Sequence, residues 1–233
     1  MKIDDSATVR TLGAAAQPLL VVMHGYGAHE RDLTPLLPHL GHRGAAAFLR
    51  APIPLGPASW AWFPLTIADT TGSLGAQVND VETATSAVVN WLREHAAGRE
   101  VILLGFSQGG ALAIEVLRRQ AASLENRAAI AAQEAPFRVR CAVVLSGFVV
   151  GADEPTLAAA DARLAELEED ARTPVFFGHG NADQIVPPEM TARTSDWLAE
   201  HTALTEHTYP GLPHGIDGRE LDHVREFLTA HAR

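Results

Sequence analysis

The chain has 233 residues, 47% of them hydrophobic and 20% charged, which suits one substantial core and excludes a disordered chain. The formal net charge is −10 with no Lys/Arg cluster, which argues against nucleic acid or an anionic membrane surface as a partner. Cys141 is the only cysteine, so an internal disulfide and a multi-cysteine zinc site are both excluded.

The opening MKIDDSATVR has no apolar stretch behind its lysine, and no apolar run approaches the ~18 residues that cross a bilayer. The expectation is a cytoplasmic protein with no stable membrane insertion. The first strong element is PLLVVMHG (Pro18–Gly25), a continuous apolar run that reads as a buried parallel strand. AAAFLRAP (Ala45–Pro52) is a weaker second strand. EVILLGFS (Glu100–Ser107) is a third, followed by RCAVVLSGF (Arg140–Phe148) and TPVFFGHG (Thr173–Gly180). TEHTYPG (Thr205–Gly211) is a sixth, half polar and therefore nearer an edge.

Helices fit between these strands. Val78, Val81, Thr85, Val88 and Leu92 share one helical face, and the segment from Gln108 onward is apolar nearly all round. PPEMTARTSDWL opens on prolines suited to a helix start, and Leu221, Val224, Phe227 and Leu228 mark a terminal amphipathic helix. This alternation predicts one α/β domain spanning residues 1–233, with a mainly parallel sheet and helices on both faces. Three stretches fit less well. Residues 121–136 either extend the preceding helix or form another. Leu157, Leu164 and Leu167 mark an acidic helix, either a surface decoration or part of a cap over the site. APIPLGPASWAWFPL (Ala51–Leu65) reads as a long irregular loop because of its prolines.

Strand three runs through GFSQGGA into a helix. That order is what a nucleophile elbow needs: a strand, a tight turn carrying an exposed serine, then a helix. Gly105 and Gly109 supply the small neighbours, which makes Ser107 the candidate nucleophile. The competing reading is a serine that merely caps the helix. A serine hydroxyl is a poor nucleophile near neutral pH and needs a base and an orienting acid. In this architecture they follow in the order acid, then histidine, at the ends of later strands. GHGNADQIVPP places Asp183 after the fifth strand, and GLPHGI places His214 after the sixth.

Eleven histidines compete for the role. His95, His201, His223 and His231 lie on or beside helices and read as solvated, and His207 falls within a strand. His179 reads as a turn residue fixing the Asp183 loop. Asp217 is the chief rival acid, but it follows His214 too closely to face it from another strand end. The tetrahedral intermediate also needs backbone donors. Gln108 supplies one N–H, and the Gly-rich loop HGYGAHERDL (His24–Leu33) supplies the other through Tyr26. His24 reads as a brace for that loop, and Asp32 as a helix cap before LTPLL. Trp60, Trp62 and Phe63 either line a substrate pocket or cover the sheet edge as ordinary core.

HGYG with DLTPL behind it, RAPIP, WAWF, GFSQGGA, LSGF, HGNADQIVP and PHG occur in this order along the chain. Together they resemble the phospholipase/carboxylesterase family of α/β-hydrolases, the group that includes acyl-protein thioesterases. The resemblance implies an α/β-hydrolase fold and a Ser107, Asp183, His214 triad. It implies oxyanion amides at Tyr26 and Gln108, and hydrolysis of carboxylic or thioesters without cofactor or metal. The leading expectation is a serine carboxylesterase acting on small or medium acyl esters, with a homodimer left open. Thioester or lactone hydrolysis on the same triad, and a binding protein that keeps the fold without turnover, are the alternatives.

Overall fold

A computed structural model of the chain describes residues 1–67, 74–123 and 137–232. Its centre is a seven-stranded sheet. The strands are β1 (Val9–Thr11), β2 (Leu19–Met23), β3 (Ala46–Leu49), β8 (Glu100–Phe106), β9 (Arg138–Leu145), β10 (Pro174–Gly180) and β11 (Ala203–Tyr209). They lie in the order β1-β3-β2-β8-β9-β10-β11, and every pairing is parallel except β1 with β3. All six expected strands are present, and β1 is an addition that three residues of unremarkable sequence did not announce.

The burial of each strand follows its place. β2, wholly buried, and β9, mostly so, sit inside the sheet and are covered on both faces, which is why they read as unbroken apolar runs. β11 at the edge alternates with polar residues and is only half-buried. Alternate residues face opposite sides. Val21, Met23, Leu103, Val144 and Phe177 share one core with α1 (Val78–His95), α2 (Gln108–Ser123) and α4 (Pro188–His201). Leu20, Val22, Ile102, Leu104, Val143 and Phe176 share the other with α5 (Gly218–His231), whose Val224, Phe227 and Leu228 are buried against it. Each such side chain contributes about 1.5–3 kcal/mol when fully buried.

Three expectations need correction. Residues 51–65 are not irregular throughout: β4 (Ile53–Gly56) and β5 (Ser59–Ala61) form an antiparallel hairpin. Its prolines are tolerated because a two-stranded ribbon is all edge. A further short pair, β6 (Thr66–Ile67) and β7 (Leu74–Gly75), follows. The Leu157/Leu164/Leu167 segment forms α3 (Ala158–Ala165), and it is not a mere surface decoration, since Asp161 and Leu164 are buried. Arg118, far along α2 from Ser107, donates to Asp161 of α3 at 2.6 Å and to Glu115 at 2.6 Å, while its guanidinium lies 4.8 Å over the Trp197 ring. That buried network fastens α3 to the helical layer, and Arg118 also donates to Val150 O at 3.0 Å in the segment after β9. Asp32 does not cap the helical turn Thr34–His39. Its carboxylate instead accepts the His29 backbone N–H at 3.1 Å. Most of the 121–136 stretch lies outside the described residues, although α2 does extend to Ser123.

Register brings the strand ends level. Met23 pairs with Gly105, Phe106 with Leu145, Leu145's neighbour strand places Gly178 opposite it, and Gly180 pairs with Tyr209. The loops that leave these residues therefore emerge on one rim, the C-terminal edge where open α/β sheets bind ligands.

Candidate active site

Ser107 is the single residue between the end of β8 and the start of α2. Its φ is +55°, a left-handed conformation that costs a non-glycine residue roughly 1–2 kcal/mol. The surroundings hold it there: its N–H donates to Leu145 O at 2.9 Å, and its carbonyl accepts from Ala111 N–H at 3.0 Å. A Cβ at Gly105 would overlap the Gly109 backbone, and one at Gly109 would overlap Met23 O, so neither position admits a side chain. The capping alternative fits poorly. A helix-capping serine has extended backbone geometry and accepts an N–H from the first turn. Ser107 has neither feature among the described residues, whereas Asp217 on α5 has both, accepting Glu220 N–H at 3.1 Å.

Asp183 leaves β10 and His214 leaves β11. His214 Nδ1–H donates to Asp183 Oδ2 at 2.7 Å. The other carboxylate oxygen accepts the backbone N–H groups of Ile185 at 2.8 Å and Val186 at 3.0 Å. Backbone donors thus fix the carboxylate, and the carboxylate fixes the imidazole tautomer, leaving Nε2 as an acceptor. The Asp183 side chain is 4% exposed and that of His214 16%, so the pair is shielded but reachable. The Phe106 ring, next to Ser107 in sequence, lies 4.9 Å from the imidazole. Among the described residues no hydrogen bond joins Ser107 Oγ to His214. The structure brings the acid and the histidine together directly, and Ser107 emerges on the same rim of the sheet. In unliganded sites such contacts are commonly loose.

The loop after β2 comes up against the serine. A Cβ on Gly25 would stand 3.3 Å from Ser107 Cβ and 3.1 Å from Phe106 Cδ1. Ala28 N–H donates to Gly25 O at 3.3 Å across a turn whose third residue, Gly27, has φ +77°. A turn of this form needs glycine at that position and leaves the N–H of its second residue, Tyr26, outside the turn's own bond. The hairpin β4–β5 steadies the loop: Gly27 N–H donates to Trp60 O at 2.9 Å and Trp60 N–H to Ala28 O at 3.0 Å.

His24 is the brace the sequence suggested. Buried beneath the loop, its Nδ1–H donates to Gly25 O at 2.8 Å and its Nε2 accepts Ala51 N–H at 3.1 Å. Burial holds its pKa below the ordinary histidine value, which suits the neutral tautomer those two bonds require.

Gln108 does more than its backbone suggested. Its buried side-chain amide accepts Trp62 N–H at 3.0 Å and donates to Phe63 O at 2.7 Å. This clamp fixes the first residue of α2 against the segment after β5. A glutamine within an otherwise apolar buried helix was the sequence signal for it, since a buried amide requires partners. Trp62 and Phe63 are themselves fully buried in the core, the second of the two roles open to them, and Trp62 Nε1–H donates to His24 O at 2.7 Å. Trp60 is half-buried, with the Arg50 guanidinium 4.4 Å over its ring and Arg50 in turn paired with buried Glu30. Its backbone pairs with Gly27 and Ala28 of the Tyr26 loop.

The rival residues are placed elsewhere. His179 is not a turn residue; it lies within β10 and its Nε2 bonds Glu206 at 3.1 Å on the edge strand. His201 is not solvated; it is buried, stacked 4.4 Å from the Trp197 ring. Asp217 serves as the α5 cap. A cavity of about 340 Å³ is bordered by Asp183 itself together with His179, Ser195 and Glu206, and neither Ser107 nor His214 borders it. Among the described residues, no group of three or more His, Cys, Asp or Glu side chains is placed to hold a metal, and no helix is long and apolar enough to cross a membrane.

Known proteins resemble this chain in sequence and in fold. The model of the family described as Phospholipase/Carboxylesterase matches residues 4–232. Acyl-protein thioesterase 1 of Kluyveromyces lactis is 22% identical over 243 residues, covering 97% of this chain and 96% of that protein. The protein of the same name from Neurospora crassa is 28% identical over 134 residues, covering 55% of this chain and only 45% of its own length. Among solved structures, esterase PE8 superposes with a TM-score of 0.73 at 23% identity, covering 99% of this chain and 100% of that one. Acyl-protein thioesterase 2 of Zea mays gives a TM-score of 0.75 at 24% identity, with 96% and 97% covered. These structures share the α/β-hydrolase fold with the present chain. With residues 4–232 matched by the family model, the chain belongs to the phospholipase/carboxylesterase family and is a serine hydrolase of the esterase and acyl-protein thioesterase kind.

Proposed function

We propose that the chain hydrolyses small or medium acyl esters through a covalent acyl-enzyme, with Ser107, Asp183 and His214 as its triad. The observation that carries this reading is the 2.7 Å Asp183–His214 bond on the rim where the strained Ser107 emerges. Ser107 Oγ attacks the acyl carbonyl as His214 Nε2 takes its proton. Asp183 stabilises the imidazolium through Nδ1–H, and the imidazolium then protonates the leaving alcohol. Water, deprotonated by His214, releases the acid and restores the serine. The N–H groups of Tyr26 and Gln108 receive the oxyanion, each worth on the order of 10²–10³ in rate. Exposed apolar surface on Tyr26 and Ile185, at the two loops flanking the site, supports contact with an acyl chain. No cofactor enters this scheme, and activity is expected to survive chelators.

Thioester hydrolysis is the second reading, favoured by relatives named acyl-protein thioesterase. The deciding experiment sets p-nitrophenyl esters of graded chain length beside matching thioesters, together with a fluorophosphonate probe. Labelling that disappears in Ser107→Ala supports the scheme. Label retained in that variant removes Ser107, and the ratio of the two kcat/KM series decides between ester and thioester.

A further inference from the structure

Glu220 is the buried ionisable group that the proposed chemistry leaves unused. It is the third residue of α5, it is 0% exposed, and neither carboxyl oxygen has a partner among the described residues. Its position is specific. A Cβ on Gly178 would overlap Glu220 Oε1, so the carboxyl fills the volume that a side chain at 178 would occupy. Gly178 lies on β10, the strand that leads to Asp183. The helix that carries Glu220 begins at Gly218, directly after the loop that carries His214.

That loop is tied to the same helical turn at both ends. Asp217 Oδ1 accepts Glu220 N–H at 3.1 Å, and Arg219 donates to Asp217 Oδ2 at 2.8 Å and to Pro210 O at 3.3 Å. The seat of α5 on β10 therefore sets where the His214 loop stands relative to Asp183. A carboxylate in this seat would be a buried charge without a counter-ion, whereas the neutral acid fits at far smaller cost.

We propose that Glu220 is a positioning residue for the hydrolytic reaction: as a neutral acid seated at Gly178, it locks the helix start behind His214 onto the strand that leads to Asp183. The inference rests on the catalytic reading of Ser107, Asp183 and His214. Ionisation would place an unpaired charge between α5 and β10 and loosen that seat, so turnover falls on the alkaline side. Burial, reinforced by the Asp217 carboxylate, pushes the Glu220 pKa up to about 8. The titratable and charged groups on the surrounding elements are Asp217, Arg219 and His223 on α5, His207 and Tyr209 on β11, Arg140 and Cys141 on β9, and His39 in the adjoining helical turn. On β10 the facing residues are Phe176 and Gly178, which carry no charge. Of these groups Asp217 acts on Glu220 directly, while burial first and the Glu220 carboxylate second push the Tyr209 hydroxyl up.

The test is kcat and KM against pH for the wild type, Glu220→Gln and Glu220→Ala, with folding followed by circular dichroism. The wild type is expected to lose kcat above about pH 8. Glu220→Gln, which keeps shape without a proton to lose, retains neutral-pH kcat within about threefold and lacks the alkaline fall. Glu220→Ala loses roughly tenfold or more in kcat with little change in KM, since the residue does not touch substrate. An alkaline fall unchanged in Glu220→Gln, or wild-type kcat in Glu220→Ala, overturns the proposal. If Glu220→Ala does not fold, the Glu220→Gln profile decides alone. A carboxyl ¹³C titration separates this inference from the catalytic reading on which it rests. The resonance missing in Glu220→Gln should titrate near pH 8, and an ordinary glutamate midpoint would overturn the neutral acid even in a chain carrying Ser107→Ala. Turnover surviving Ser107→Ala would instead remove the catalytic reading and leave that midpoint untouched.

Discussion

Gly25 and Ser107 approach so closely that a methyl group on the first would stand 3.3 Å from the Cβ of the second. The loop that offers Tyr26 N–H and the turn that offers the hydroxyl thus share one packing contact, although they lie on neighbouring strands and far apart in sequence. Gly25→Ala would push this contact apart by a few tenths of an ångström. The expected result is a folded protein with kcat lowered roughly 10- to 100-fold, part of the cost of a misplaced oxyanion donor. Steady-state kinetics on p-nitrophenyl acetate, with a circular dichroism control, measure it.

His214→Ala should lower kcat by about 10⁴ or more, and Asp183→Asn by a comparable factor because the amide favours the wrong imidazole tautomer. Asn at 183 also faces the Ile185 and Val186 N–H groups that now hold the carboxylate in place. Near-normal turnover in either variant would remove that residue from the scheme.

Gln108→Ala deletes two buried hydrogen bonds at once. It leaves Trp62 N–H and Phe63 C=O without their present partners. Each orphan costs about 1–3 kcal/mol, so urea unfolding should register a loss of about 2–6 kcal/mol. A loss below about 0.5 kcal/mol would mean the clamp is not formed in solution.

Arg118 is 2% exposed in its side chain and neutralises Glu115 and Asp161, which have no other cation within reach of an ion pair among the described residues. Arg118→Met should destabilise by about 3–5 kcal/mol, because removing one partner strands the buried charges. Replacing all three groups by apolar residues should restore much of that loss. Denaturant melts of the single and triple variants test both statements.

Stability should fall as pH rises from about 4.5 to about 8, by roughly 1.4 kcal/mol per pH unit for each proton involved. Burial raises the Glu220 pKa in the folded chain, so in this window the native state holds a proton that the unfolded state has released. Unfolding then releases that proton, and higher pH favours it. Burial pushes Glu115 in the same direction, but the Arg118 guanidinium at 2.6 Å opposes it and holds the carboxylate charge. The effect is absent below the ordinary glutamate pKa, where both states are protonated, and saturates above about 8. Glu220→Gln should flatten the profile and give its largest relative gain at alkaline pH. A parallel profile for wild type and variant would show that Glu220 titrates normally.

Much of this protein was written locally. The spacing of glycines around Ser107, the apolar runs of β2, β8, β9 and β10, and the sequence positions of Asp183 and His214 are short-range properties, because strand burial and tight-turn geometry act over a few residues. They led to the strands, the mainly parallel sheet and the candidate triad before any contact was known. What required the folded chain were relationships between distant segments. The β4–β5 hairpin is docked through Trp60, whose N–H donates to Ala28 O and whose carbonyl accepts Gly27 N–H, and nothing within a proline-rich stretch reveals that partner. His201 read as solvated from its helix, yet the Trp197 stack buries it. Glu220 lies in the first turn of α5, where an acid is ordinary, and only the folded chain seats it at Gly178 as an uncompensated carboxyl. Periodicity carries hydrophobic burial because that burial is graded and additive along an element. The state of a buried polar group depends on which atoms arrive from elsewhere, and that is settled only when the sheet and helices close.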